Sequence, residues 1–183
     1  MEILRKELQK IHPNITLIEC NEIFPKIAEI LFDNYAVENG NKIYRITDIE
    51  FYYYNCNVED ERENDINTKV TYERTTPSGC WFFHDSGIDI TFQSNKEDKY
   101  GGGILIRRIQ QILPVKGNII KGPRLAYWEL FDDYTDAFSS ISKNPHLIPY
   151  TNEKEGYLTS EREGLEKIDK FHRKWRFYLK GTK

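Results

Sequence analysis

Glu50 lies in residues 42–54, Lys-Ile-Tyr-Arg-Ile-Thr-Asp-Ile-Glu-Phe-Tyr-Tyr-Tyr, where a carboxylate and an aromatic ring fall two positions apart. Read as a strand, the segment puts Ile46, Asp48, Glu50 and Tyr52 on one face and Ile49, Phe51 and Tyr53 on the other. A carboxylate beside a stacking surface suits hydrolysis of a flat substrate: the carboxylate orients or deprotonates water and the ring holds the substrate. The competing reading is an edge strand with a solvated polar face. A second cluster, His84-Asp-Ser-Gly87 with Asp89, admits three readings. His84 is a stacking ring of the same pocket, or His84, Asp85 and Asp89 are metal ligands, or the segment is a turn whose polar side chains bond local backbone.

The chain that must position these groups has 183 residues, 39% hydrophobic and 30% charged, which fits one globular domain with a substantial core. No apolar run approaches the ~20 residues of a membrane helix, and the polar first ten residues do not resemble a signal peptide; a cytoplasmic protein is expected. Cys20, Cys56 and Cys80 form no CxxC pair, so neither a disulfide framework nor a zinc ribbon is suggested. Net charge is −3, but it is segregated. Residues 104–128 carry Arg107, Arg108, Lys116, Lys121 and Arg124 with no acidic residue until Trp128 is passed, and 167–183 is also basic. Converging basic segments can meet a phosphate backbone, with Arg108, Lys121 and Arg124 the contacts expected; solvated faces are the alternative.

Hydrophobic spacing predicts a helix over 2–11 with Ile3, Leu4, Leu8 and Ile11 on one stripe, and residues 1–20 form an N-terminal helical extension. A second helix is capped by Asn21 and buries Ile23, Phe24, Ile27, Ile30 and Leu31. Asn39-Gly-Asn turns into the Glu50 strand, 55–67 is a polar loop or a long hairpin end, and 80–92 and 103–113 are antiparallel β segments. Gly101-Gly-Gly103 reads as a flexible turn, 122–138 as a helix with proline near its start and Leu125, Trp128, Phe131 and Phe138 packed, 144–150 as irregular, and 174–180 as a strand. Together these give a single α+β domain, a mixed or antiparallel curved sheet with flanking helices.

Several segments, in order, resemble the methylpurine (3-methyladenine, or alkyladenine) DNA glycosylase family. Tyr44-Arg-Ile-Thr-Asp-Ile-Glu-Phe-Tyr52 is similar to its R-I-V-E-x-E-A-Y strand, Ile104-Leu-Ile-Arg107 to V-L-L-R, and Gly122-Pro-Arg-Leu125 to G-P-x-x-L. Thr159-Ser-Glu-Arg-Glu-Gly-Leu165 resembles T-P-R-I-G-I/V, and Lys174-Trp-Arg-Phe-Tyr-Leu-Lys-Gly181 the terminal W-R-F-Y-V-x-G. The resemblance implies a glycosylase-like fold and cleavage of the N-glycosidic bond of a flipped, alkylated or deaminated purine in DNA. Glu50 would be the general base, Arg107 a second ligand of the attacking water, and the Leu165 carbonyl a third. Tyr52 would be one wall of the base pocket, with His84, Ser86, Gly87 and Asp89 around it. The resemblance implies no metal or organic cofactor, damaged duplex or single-stranded DNA as partner, and a monomer.

The chain departs from that pattern at two places. Asn55-Cys-Asn-Val-Glu-Asp-Glu-Arg stands where the family carries a pocket histidine, and Ser86 stands where it carries an aromatic wedge, if Gly87 aligns with the glycine that follows. Serine cannot intercalate between bases. Two further readings therefore stand beside the glycosylase: a noncatalytic or repurposed nucleic-acid or nucleobase binder, and a hydrolase of free nucleosides, nucleotides or modified single strands.

Overall fold

The computed structural model describes residues 2–55, 77–93, 95, 97, 100–131, 144–165, 169 and 172–182. Helix α1 (Glu2–Leu8) buries Leu4 and Leu8, with Ile11 just beyond it, while Ile3 points outward. Helix α2 (Leu17–Asn34) begins earlier than Asn21: Thr16 accepts the Glu19 N–H, and the Glu19 carboxylate accepts the Thr16 N–H in return. Asn21 lies inside the helix, where its side chain accepts the indole N–H of Trp175 at 2.8 Å. The face of Phe24, Ile27, Ala28 and Leu31 packs on the sheet. Phe24 stacks on Phe51 with ring centres 4.3 Å apart and meets Trp175 edge-on at 5.0 Å.

The strands are β1 (Tyr35–Asn39), β2 (Lys42–Asn55), β3 (Trp81–His84), β4 (Gly87–Thr91), β5 (Tyr100–Leu113), β6 (Ile119–Lys121), β7 (His146–Pro149), β8 (Tyr157–Ser160) and β9 (Arg176–Leu179). Their order is β3-β4-β5-β2-β1-β7, with β6 on β5, and β9 on β2 carrying β8. Every described pairing is antiparallel, which resolves the mixed-or-antiparallel expectation. The chain folds as a single α+β domain around this curled sheet. Helix α3 (Pro123–Phe131) flanks β4, β5 and β6. No described helix is long and apolar enough to cross a membrane.

Strands β2 and β5 are the spine, and an irregularity in their pairing matters most. The register runs Ile46↔Ile109, Asp48↔Arg108, Ile49↔Ile106, so Thr47 and Arg107 are passed over. Such a bulge inverts the alternation. Tyr44 and Ile46 join the core with Ile49, Phe51 and Tyr53, so Ile46 does not share the Glu50 face as simple alternation requires.

Other expectations are corrected by tertiary pairing. Residues 146–149 are not irregular but form β7 against β1, and Gly101-Gly-Gly103 is not a turn but runs within β5. In α3 the buried side chains are Ala126 and Leu130, while Leu125 and Trp128 are half exposed. Phe138, Cys56 and the loop expected beyond residue 55 lie outside the described residues.

Gly102 shows how closely the spine strands approach. Its φ is +156°, and a Cβ there would fall 1.9 Å from the Tyr52 carbonyl oxygen. Gly102→Ala is expected to cost roughly 3 kcal/mol or more through backbone displacement and strain. A urea titration showing a loss below about 1 kcal/mol would contradict this account of the spine.

Candidate active site

Directly opposed residues in an antiparallel ladder project to one face. Asp89 on β4, Leu105 on β5, Glu50 on β2 and Arg176 on β9 therefore form a row across the sheet, opposite the apolar core. The next row is Thr91, Gly103 and Tyr52. Gly103 leaves room for a carboxylate: a Cβ there would lie 3.0 Å from Asp89 Oδ2. Arg107, two residues on from Leu105, shares that face, and its Nη1 donates to Glu50 Oε2 at 3.0 Å; the bulge turns Arg108 to the same side.

Glu50 is fully buried and held by three donors. Besides Arg107, the Tyr52 hydroxyl donates to Oε2 at 2.9 Å and the Glu163 backbone N–H to Oε1 at 2.8 Å. A carboxylate offers roughly four lone-pair positions. Among the described residues one therefore remains on Oε1, the place from which this carboxylate can accept a proton from water. Burial pushes the Glu50 carboxyl above its ordinary value of 4.5, against the opposing pull of the Arg107 charge and the hydrogen bonds from Glu163, Tyr52 and Arg107. Burial and the neighbouring Glu50 charge also push the Tyr52 phenol upward, so Tyr52 stays a hydrogen-bond donor.

Tyr52 presents less free ring than the sequence suggested, because the Arg162 guanidinium sits over it, 5.1 Å from the ring centre. Arg162 is itself buried, stacks on Trp175 as well, and pairs with Asp169 at 2.9 Å. Burial opposes the Asp169 charge, but the Arg173 and Arg162 contacts outweigh it and hold that carboxyl below its usual range. The Leu165 carbonyl accepts the Asp169 N–H at 2.7 Å; the group from this segment that reaches Glu50 is the Glu163 N–H.

Around Glu50 lies a second layer of charge. Arg176 grips Asp48 with two bonds, Nε to Oδ1 at 3.1 Å and Nη2 to Oδ2 at 2.8 Å, and its Nε passes 3.9 Å from Glu50 Oε1. Arg108 adds a contact to Asp48 Oδ2 at 3.1 Å and donates to the Thr182 carbonyl, so the structure places it inside this cluster. The Glu163 side chain reaches back to Arg107 Nη2 at 2.9 Å and Arg176 Nη1 at 2.7 Å. Sequence reasoning did not single out Arg162, Glu163 or Arg176. Only Arg176 left a readable signal: a cation alternating with Trp175, Phe177 and Leu179 in an otherwise apolar strand.

No protein-family model matches the chain. It is 30% identical to an uncharacterised protein, L759, of Acanthamoeba polyphaga mimivirus over 182 aligned positions, spanning 88% of this chain and 72% of that protein. The chain belongs to the family of that viral protein.

In this member of the mimivirus protein's family, His84, Ser86, Gly87 and Asp89 lie on the β3–β4 hairpin. Its turn is Asp85-Ser86, closed by the His84↔Gly87 pair. The Ser86 N–H donates to His84 Nδ1 at 3.3 Å, which leaves Nε2 to carry the proton toward Asp89 Oδ1 at 3.0 Å. His84 is thereby held as an oriented ring resting on Phe82. Gly87 has φ +150°, and a Cβ there would come within 2.9 Å of the Pro123 ring, so glycine lets α3 begin against the hairpin. Arg124 secures that junction by donating to the Asp85 carbonyl at 3.0 Å. Lys121 is exposed opposite Arg108. No group of three His, Cys, Asp or Glu among the described residues is placed to hold a metal. A cavity of about 320 Å³ near Leu8, Trp81 and Ile90 lies toward the core side of β4, away from Glu50.

Proposed function

We propose that this protein hydrolyses the N-glycosidic bond of a purine, in the manner of a divergent methylpurine DNA glycosylase, using Glu50 to activate water. The direct Glu50–Arg107 contact carries the reading: two residues 57 apart in sequence, matched separately by the resemblance, meet at 3.0 Å on one buried face. Two more of the matched segments arrive at the same point, through the Glu163 N–H and the Arg176 guanidinium. Cleaving the bond develops positive charge on the sugar, and a buried carboxylate both takes the proton from water and stabilises that charge. Arg107 orients the base, Tyr52 offers its ring to the flipped purine, and the oriented His84 stands at the far end of the row. The chemistry needs no cofactor. The substrate is an alkylated or deaminated purine, in duplex or single-stranded DNA.

A second reading, a nucleobase or nucleic-acid binder without excision, draws on the burial of Glu50 and the occupation of three of its acceptor positions. One experiment separates them. Protein is incubated with oligonucleotides carrying an alkylated purine, hypoxanthine or ethenoadenine, and abasic sites are cleaved with alkali. Because the base must be ionised and its carboxyl is raised by burial, single-turnover release should rise with pH through a value above 4.5. Binding without strand breaks from any of these substrates, with folded protein, selects the second reading.

A further inference from the structure

Two guanidiniums beside Glu50 converge on one oxygen. Arg107 Nη2 and Arg176 Nη1 lie 2.9 and 2.7 Å from Glu163 Oε2. The two arginine side chains are 10% and 9% exposed, whereas the Glu163 side chain is 55% exposed. The cations are thus built into the fold, and the anion between them comes from solvent's side on a short turn. Arg107 also has a buried Nε with no hydrogen-bond partner among the described residues.

The charge around this point favours an incoming anion. Among the described residues Arg107, Arg108 and Arg176 meet Asp48, Glu50 and Glu163 here, so an outward Glu163 leaves three guanidiniums facing two carboxylates. If the Glu163 side chain swings outward, the Arg107–Arg176 fork loses one carboxylate oxygen and gains an accessible opening. The other carboxylates are buried and held by their own partners, so none can follow. A phosphate oxygen matches what the fork holds now: one anionic oxygen that accepts from Arg176 and pairs with the Arg107 guanidinium.

We propose that the Arg107–Arg176 fork is a phosphate subsite and that Glu163 is its resident plug, displaced when substrate phosphate enters. This rests on the purine-hydrolase reading only in assigning the phosphate to that substrate. The plug couples binding to chemistry, since the Glu163 backbone N–H holds Glu50 Oε1 while its side chain holds the fork. A phosphate that displaces the side chain thereby engages the segment that caps the base.

Calorimetric titration with inorganic phosphate tests the subsite without any base release. Glu163→Gln, which keeps size and loses charge, should bind phosphate about ten- to a hundredfold more tightly than the unaltered protein. Glu163→Asp, too short to reach both guanidiniums, should fall between. Adding Arg176→Lys to Glu163→Gln should remove the gain, because a point charge does not replace the fork. Glu161→Gln, equal in charge change but paired with His172 instead, should leave affinity unaltered. Equal phosphate affinity in Glu163→Gln and the unaltered protein overturns the proposal, as does an equal gain in Glu161→Gln. With the subsite present, titrating Glu163→Gln with deoxyadenosine monophosphate and with a dinucleotide assigns the phosphate. A preference for the monophosphate indicates a free nucleotide, and equal or tighter dinucleotide binding indicates a strand.

Discussion

Glu50→Gln is expected to lower base release by roughly 10²–10⁴-fold while leaving the fold intact. Glutamine keeps the side-chain length and one carbonyl acceptor for the Tyr52, Arg107 or Glu163 donors, but it cannot take a proton from water. Stability separates this from a structural effect. The folded carboxyl is raised above its ordinary value, so ionising it costs stability. The folded protein holds the proton more tightly than the unfolded chain, and stability therefore falls as pH rises from the ordinary carboxylate range through the raised value. Glutamine has no proton to lose, so the variant should lack that decline and be no less stable above the window. The two measurements are alkali-revealed strand cleavage and denaturant midpoints across pH. A variant that retains cleavage sinks the general-base role, and one that loses stability as well as cleavage makes Glu50 a structural residue.

The Glu50–Arg107 meeting was legible in the sequence because strand alternation pointed to Glu50 and the resemblance paired it with Arg107. The break in alternation beside them was not. Simple alternation placed Ile46 beside Glu50, and only the partner strand determines that Thr47 and Arg107 are passed over and the pattern inverted. The same limit explains β7, whose His-Leu-Ile-Pro sequence has little strand character alone and gains it from β1. In α3, expected packing of Leu125 and Trp128 gave way to Ala126 and Leu130, since hydrophobicity marks a helix but not which stripe meets the sheet. Glu163 left no signal: a glutamate in a polar, glycine-containing segment is ordinary until two arginines from distant strands close on it.

Asp48 is the residue on which that closure depends, and Asp48→Ala is expected to cost about 3–5 kcal/mol. Asp48 is fully buried, accepts two bonds from Arg176 and pairs with Arg108 at 3.1 Å, so truncation removes the carboxylate that two buried guanidiniums face. For a chain of this size the melting temperature should drop by roughly 6–20 °C. Lys42–Glu129, a half-exposed pair at 3.3 Å, supplies the contrast: Lys42→Ala should cost no more than about 1 kcal/mol. Similar losses in the two variants would show that burial does not set the energetics of this face. A catalytic consequence follows from the same geometry. Arg176 Nε lies only 3.9 Å from Glu50 Oε1 and is held off by its bonds to Asp48. Released from Asp48, Arg176 should turn onto Glu50 and favour its charged form, moving the rise in base release to lower pH. By engaging Arg176, Asp48 keeps Glu50 the stronger base, which is why a carboxylate that touches no substrate should still shift the pH profile.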